Sequence, residues 1–424
     1  MNRFIIPVSL SALAACSILF SCTGSVDEPE PDPAPPIEEA KPNVPLEISD
    51  AEKDIVEKQS AFAIGMLKEL ASENSTANFM FSPLCVYSSL SVLASGAQGD
   101  TQSEILSVLG IERNRLDAVS TFNNRLVEEL YSADNISKVS LANSIWIDNA
   151  FSVNKDYISG NEGKCDIFNA DLGTDATRAA VNLWGAARTD GVIPEILGSW
   201  PGGNPEMLLM DALSFNSPWG QTFLEKNTSD DYFYCADGSV TRPQMMNADN
   251  YRFSAVRDNE RGAFWPSLML GNHSFQLLVI LPDQGVSLKD YLAELSGEDY
   301  LSLTFDTENE YYDSYVRFPR FTVDNELDVT GIVREMGVSK AFNGDTAEFP
   351  LISAGKPAIS QVRQKARISF TEKGTDKCHG TGIAVDFGFP SKNGYLIIDR
   401  PFAFMIREVW TKTILYCGCV NYLP

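Results

Sequence analysis

The sequence predicts an α+β fold in one domain running from about residue 48 to 424. Helix-like periodicity leads, and beyond residue 207 strand-like runs follow it. No internal repeat and no second proline-rich linker divides this stretch. Hydrophobic residues form 44% of the 424-residue chain and aromatic residues 10%, enough to fill a large core.

Residues 1–21 read as a signal peptide. Arg3 gives the positive start, and the apolar run from Phe4 to Phe20 is broken by Pro7 and several serines, which makes it too short and interrupted for a membrane span. The run ends in LFSC and resembles the lipobox of bacterial lipoproteins, which implies lipidation at Cys22. Cys16, in LAAC, fits the small-residue pattern better but would leave the apolar SILF segment just after the lipid. Residues 22–47 are rich in proline and carboxylates and read as an extended linker. An acidic run so placed resembles the export signal of Bacteroidetes surface lipoproteins. The expected location is therefore the bacterial outer membrane, facing either the periplasm or the cell exterior.

The globular part opens with Ser49 or Asp50 as a helix cap, followed by Ile55, Phe62, Met66, Leu67 and Leu70 at helical spacing. Further helices are predicted over Pro83–Ser95, Thr101–Leu109 and Ala179–Leu197, the last with a proline inside. Strands are predicted at 274–282, 315–323, 365–370 and 412–422.

Charge and composition narrow the function. The balance of 33 basic against 57 acidic residues gives −24, which repels nucleic acid phosphates and is otherwise accounted for by a solvated surface. Catalysis would need a base, and the chain has only two histidines. His273 lies in the turn-like LGNHSF and reads as a surface residue. Cys378 and His379 are neighbours that point to opposite faces of an extended chain, so they form no nucleophile pair. Cys417 and Cys419 lack a second CxxC or clustered histidines and read as core rather than metal ligands. Six cysteines follow Cys22 in an expected oxidising compartment, so disulfides are open to some of them.

NFMFSPLCVYSSLSVLASGAQGDTQSEILSVLG, from Asn78 to Gly110, resembles the early helical signature of the serpin family. The order continues with LANSIWID at 141–148, VNLWGAARTDGVIPEIL at 181–197, MDALSFNSPWGQTF at 210–223 and RPQMM at 242–246. It closes with FPRF at 318–321, MGVSKAF at 336–342, EKGT at 372–375 and the segment 400–424. This resemblance implies the serpin fold: a large central five-stranded mixed sheet, two smaller sheets, eight or nine helices and an exposed reactive-centre loop near the C-terminus. It implies no cofactor and a monomer.

The activity it implies is inhibition of a serine or papain-like cysteine protease. The enzyme attacks the loop and forms an acyl-enzyme, and the cut loop then inserts as a new strand in the central sheet, stalling deacylation. Glu372, Lys373, Gly374 and Thr375 match the family's hinge, although EKGT by itself reads as a surface turn. Alternation puts Thr375, Lys377, His379, Thr381, Ile383 and Val385 on the buried face of the inserted strand. Inhibitory members carry small or apolar residues there, so Lys377 and His379 depart from the pattern and leave a non-inhibitory binding or scaffold serpin as the alternative. Three residues compete for the scissile bond: Phe387, Gly388 and Phe389. Lys392 offers a trypsin-like site further along.

The region where the family's sheet opens is also altered. Ser82 matches, but Cys85 stands for a second serine, Asp211 for an asparagine and Gln364 for a histidine. The paired change predicts a hydrogen bond between Asp211 and Gln364. Trp219 matches the tryptophan near the entry point of the inserting strand, with Phe223 at the family's spacing; on composition alone both are core aromatics.

Overall fold

The computed structural model describes residues 45–375 and 390–424. Helix α1 (Asp50–Glu73) begins at a capping box, in which the Ser49 hydroxyl takes Glu52 N–H and the Glu52 carboxylate takes Ser49 N–H at 2.8 Å. Its five periodic apolar residues are all buried, none more than 4% exposed. Helix α2 (Pro83–Gly96) starts at the Ser82 cap with proline in its first turn, and it is buried along nearly its whole length. Seven further α-helices lie among the described residues: α3 (Gly99–Leu109), α4 (Leu116–Leu130), α5 (Lys155–Gly160), α6 (Asp175–Arg188), α7 (Leu288–Glu294), α8 (Gly297–Leu301) and α9 (Thr330–Glu335).

The central sheet runs β12 (Phe321–Asp328), β13 (Ile359–Thr371), β4 (Met207–Asn216), β2 (Lys138–Asp148) and β3 (Asp166–Ala170), with the short β14 (Gly374–Thr375) attached to β13. It is mixed. Strands β13 and β4 are parallel neighbours, as are β2 and β3, while β12–β13 and β2–β4 are antiparallel.

A second sheet follows the order β1 (Phe79–Phe81), β17 (Ile414–Val420), β16 (Phe402–Glu408), β10 (Phe275–Pro282), β9 (Ala263–Leu270), β8 (Gln244–Asp258), β11 (Glu310–Pro319) and β15 (Tyr395–Ile397), with β5 (Ser229–Asp230) also on β8. The long β8 and β11, whose register shifts between Ser314 and Val316, join what would otherwise be two smaller sheets. A two-stranded sheet pairs β6 (Phe233–Tyr234) with β7 (Val240–Thr241).

Three sequence expectations change. The helix expected to reach Leu197 stops at Arg188, because Asp190 and Gly191 take left-handed φ of 49° and 74°. Ile193, Ile196 and Leu197 keep the apolar spacing because their segment folds back onto α6: Asn182 Oδ1 accepts from Ile196 N–H and Leu197 N–H at 2.9 and 2.8 Å. The run 315–323 is two strands, since Pro319 ends β11 and the chain crosses into the central sheet at Phe321. His273 is half-buried in a left-handed turn with φ 70° instead of lying on the surface.

The described cysteines Cys85, Cys165, Cys235, Cys417 and Cys419 are all buried free thiols. Burial raises the pKa of Cys85, Cys165, Cys417 and Cys419, as expected for packing rather than reactivity.

Candidate functional site

The distinguishing feature of the central sheet is the seam between β4 and β13. The strands pair in parallel from Ile359↔Met207 to Arg367↔Ser214, with nothing between them, and Gln364 stands opposite Asp211. Gln364 Nε2 donates to Asp211 Oδ2 at 2.8 Å, the bond that the paired change in sequence predicts, and to Ser82 O at 2.9 Å; Gln364 Oε1 accepts from Ser82 N–H at 2.9 Å. One glutamine thus ties both strands to the start of α2.

On the far side, Asp211 Oδ1 accepts from Asn143 Nδ2 at 2.8 Å and from Ser89 Oγ at 3.2 Å. Asn143 Nδ2 also donates to Cys85 O at 2.9 Å, and Cys85 N–H donates to the Ser82 hydroxyl at 3.2 Å. Asp211, Gln364, Ser82 and Ser89 are fully buried and Cys85 nearly so. Burial pushes the Asp211 carboxyl up to about 6, against the pull of the donors Gln364, Asn143 and Ser89. The sequence singled out neither Ser89 nor Asn143; only the sheet register shows that they converge on Asp211.

At one end of the seam the residues that match the family's hinge, Glu372 to Thr375, are wedged in place. After Thr371 the chain turns back, so that Thr375 pairs with Phe370 of β13 while Gly374 bridges to Pro218 just beyond β4. Thr375 N–H donates to Ser217 O at 2.9 Å, and Ser217 N–H donates to Thr375 Oγ1 at 2.7 Å. Gly374 has φ 125°, and a Cβ there would fall 2.2 Å from Ser217 O, so only glycine fits. Glu372, Gly374 and Thr375 are buried, which corrects the reading of EKGT as a surface turn; only Lys373 reaches solvent, near Glu225.

Glu372 anchors this turn. Arg320 grips it bidentately, Nε to Oε1 at 2.8 Å and Nη2 to Oε2 at 2.6 Å, and Thr228 Oγ1 donates to it as well. Burial would raise the carboxyl, but Arg320 and Thr228 hold it below the usual glutamate range. Trp219 is fully buried and is more than filler: its Nε1 donates to Thr371 O at 2.7 Å, and its ring packs on Phe370, Phe318 and Phe223 at 5.2, 5.6 and 5.6 Å. Residues 390–397 are tied to β11 in the second sheet, through Lys392 N–H to Tyr311 O at 2.8 Å and through β15.

The family model described as serpin (serine protease inhibitor) matches residues 57–423. The chain belongs to the serpin family. Among its relatives, Serpin B5 of Xenopus tropicalis is 28% identical over 379 residues, covering 85% of this chain and 97% of that protein. A serpin-like protein of Methanosarcina mazei is 25% identical over 381 residues, covering 87% of each. Among solved structures, maspin matches with a TM-score of 0.79 at 23% identity, covering 88% of this chain and all of that one. The thermophilic serpin tengpin in its native state matches at 0.77 and 24%, covering 91% and 98%. These likenesses establish the fold.

The serpin's loop candidates Lys377, His379, Thr381, Ile383, Val385, Phe387, Gly388 and Phe389, and the lipidation candidate Cys22, lie outside the described residues.

Proposed function

We propose that this serpin is a suicide-type inhibitor that traps a serine or papain-like cysteine protease by inserting its cut loop between β4 and β13. The observation that carries this reading is the hinge: Gly374 and Thr375 already lie between β13 and the chain leaving β4, at the mouth of a seam that is closed below them. Continued in that register, an inserted strand would set Thr381 between Gln364 and Asp211, and Ile383 between Val362 and Leu209. Its other face would carry Cys378, Gly380, Gly382 and Ala384 against Ser214, Ala212, Met210 and Leu208. Of these, Leu208, Met210 and Ala212 pack in the apolar cluster with Val181 and Trp184 of α6, so small residues on that face suit the space.

The same register also favours a second reading. Lys377 would lie between Ile368 and Phe215, and His379 between Ala366 and Leu213, all at most 2% exposed. An unpaired ammonium in such a slot costs several kcal/mol and slows insertion. A serpin slowed in this way is cut as a substrate and acts instead as a binding or scaffold protein. The lipid at Cys22 and the linker to residue 47 belong to the same proposal, holding the serpin domain on a bacterial outer membrane at the cell surface or in the periplasm.

Incubating the protein with chymotrypsin-like, papain-like and trypsin-like proteases, followed by denaturing gels and intact-mass spectra, tests the proposal. A denaturant-resistant adduct is expected, and the released peptide identifies the cut bond. Clean cleavage by all three classes without adduct overturns inhibition in favour of the second reading.

A further inference from the structure

Asp211 is a buried carboxylate placed where two strands must part if anything is to enter between them. Its bond to Gln364 crosses the β4–β13 seam, while Asn143 of β2 and Ser89 of α2 hold its other oxygen from behind. All three partners are neutral. The titratable groups near it are Cys85 on α2 and Cys165 beside β3, both buried thiols whose pKa is raised by burial and then by the charge of Asp211. On β13, Arg363, Lys365 and Arg367 alternate with Gln364 and pair with Glu326 and Asp324 of β12 on the opposite face. No Lys, Arg or His among the described residues forms a salt bridge with Asp211. The closed seam therefore encloses an anion with hydrogen bonds but no counter-charge, a costly arrangement that water would relieve.

We infer that the Asp211 carboxyl is a proton-operated latch on the β4–β13 seam, holding the sheet shut when protonated and favouring its opening when ionised. The closed seam holds the carboxyl near 6, whereas parted strands let water return it toward its ordinary 3.8. Opening therefore releases a proton, and acid opposes it. Between pH 7.5 and pH 5 the seam's opening equilibrium falls about tenfold by this linkage. The latch acts on the sheet whether or not a protease is trapped, so it goes beyond the inhibitory reading and stands or falls apart from it.

Hydrogen exchange on the full, uncut chain provides the test. Protection of the amides of Leu209–Ser214 and Val362–Ala366, corrected for the intrinsic exchange rate, should be about tenfold higher at pH 5 than at pH 7.5. The amides of β10 serve as the control and should change much less. In Asp211→Asn the seam's pH dependence should vanish. Carbon-13 NMR titration of the aspartate carboxyls in the unmutated chain needs no variant and should show one carboxyl with a midpoint near 6. Seam protection that is flat or reversed with pH, pH dependence that survives in Asp211→Asn, or the absence of any aspartate titrating well above 4 overturns the latch.

Discussion

Glu372 and Asp211 are both buried acids beside the β4–β13 seam, and their environments push them in opposite directions. Arg320 and Thr228 favour the ionised form of Glu372 enough to overcome its burial, so its folded value lies below its unfolded one. Its contribution is complete above the ordinary glutamate range and is lost as pH falls through its folded value. Glu372→Gln, which keeps the shape but loses the charge, should therefore lower stability by about 2 kcal/mol at pH 7, the penalty being moderated because Arg320 reaches solvent. Denaturant melts of the two proteins should converge as pH falls below the ordinary glutamate range; a gap that stays constant down to the acid unfolding of the protein would show that the pair contributes no charge term. Asp211 works the other way, since its folded value lies above its unfolded one and stability is gained as pH falls from about 6 toward 4. At this scale the sequence was informative where two substitutions compensate each other, as at Asp211 and Gln364. It was silent on Ser89 and Asn143, polar residues within ordinary helical and strand patterns whose convergence depends on long-range register.

The short return of the chain after β13 is the element on which the proposed insertion would depend. Its geometry rests on Gly374, whose φ of 125° and 2.2 Å approach to Ser217 O leave no room for a side chain. Gly374→Ala should push Thr375 out of its pairing with Phe370 and cost about 1–3 kcal/mol, the usual scale for backbone strain of this kind. The loss should appear as weakened amide protection of Thr375 and Ser217 in particular; unchanged protection would mean that the wedge does not depend on the glycine. Boundaries of this sort were the least legible part of the fold. Taken alone, EKGT reads as a surface turn because glycine beside charged residues usually marks one, and burial by Trp219 and Arg320 comes from distant segments. The end of α6 was missed because Ile193, Ile196 and Leu197 keep helical spacing while folding back. By contrast α1, α2, β10 and β17 were readable, since each carries its own cap or a continuous apolar run.

At the scale of the whole molecule, the proposed insertion would place one more strand between the parallel neighbours β4 and β13. A cut loop that filled residues 376–386 into the seam would replace the single β4–β13 ladder with two antiparallel ladders and bury Thr381, Ile383 and Val385, a gain set against the entropy of ordering the strand. Any net gain would appear as a rise in thermal midpoint of about 1–2 °C for each kcal/mol in a domain of this size. The uncut fold would then be held by the barrier to opening rather than by its depth, with the Gln364–Asp211 bond as part of that barrier. Lys377 would oppose the gain, because in the proposed register it would lose water between Ile368 and Phe215. Calorimetry before and after limited cleavage of the loop should therefore show a rise in midpoint, and Lys377→Ala should enlarge the rise and speed its appearance. Coincident midpoints for cut and uncut protein in both the unmutated chain and Lys377→Ala would mean that the strand never enters. A rise seen only in Lys377→Ala would instead identify that single ammonium as what keeps this serpin from inserting its loop.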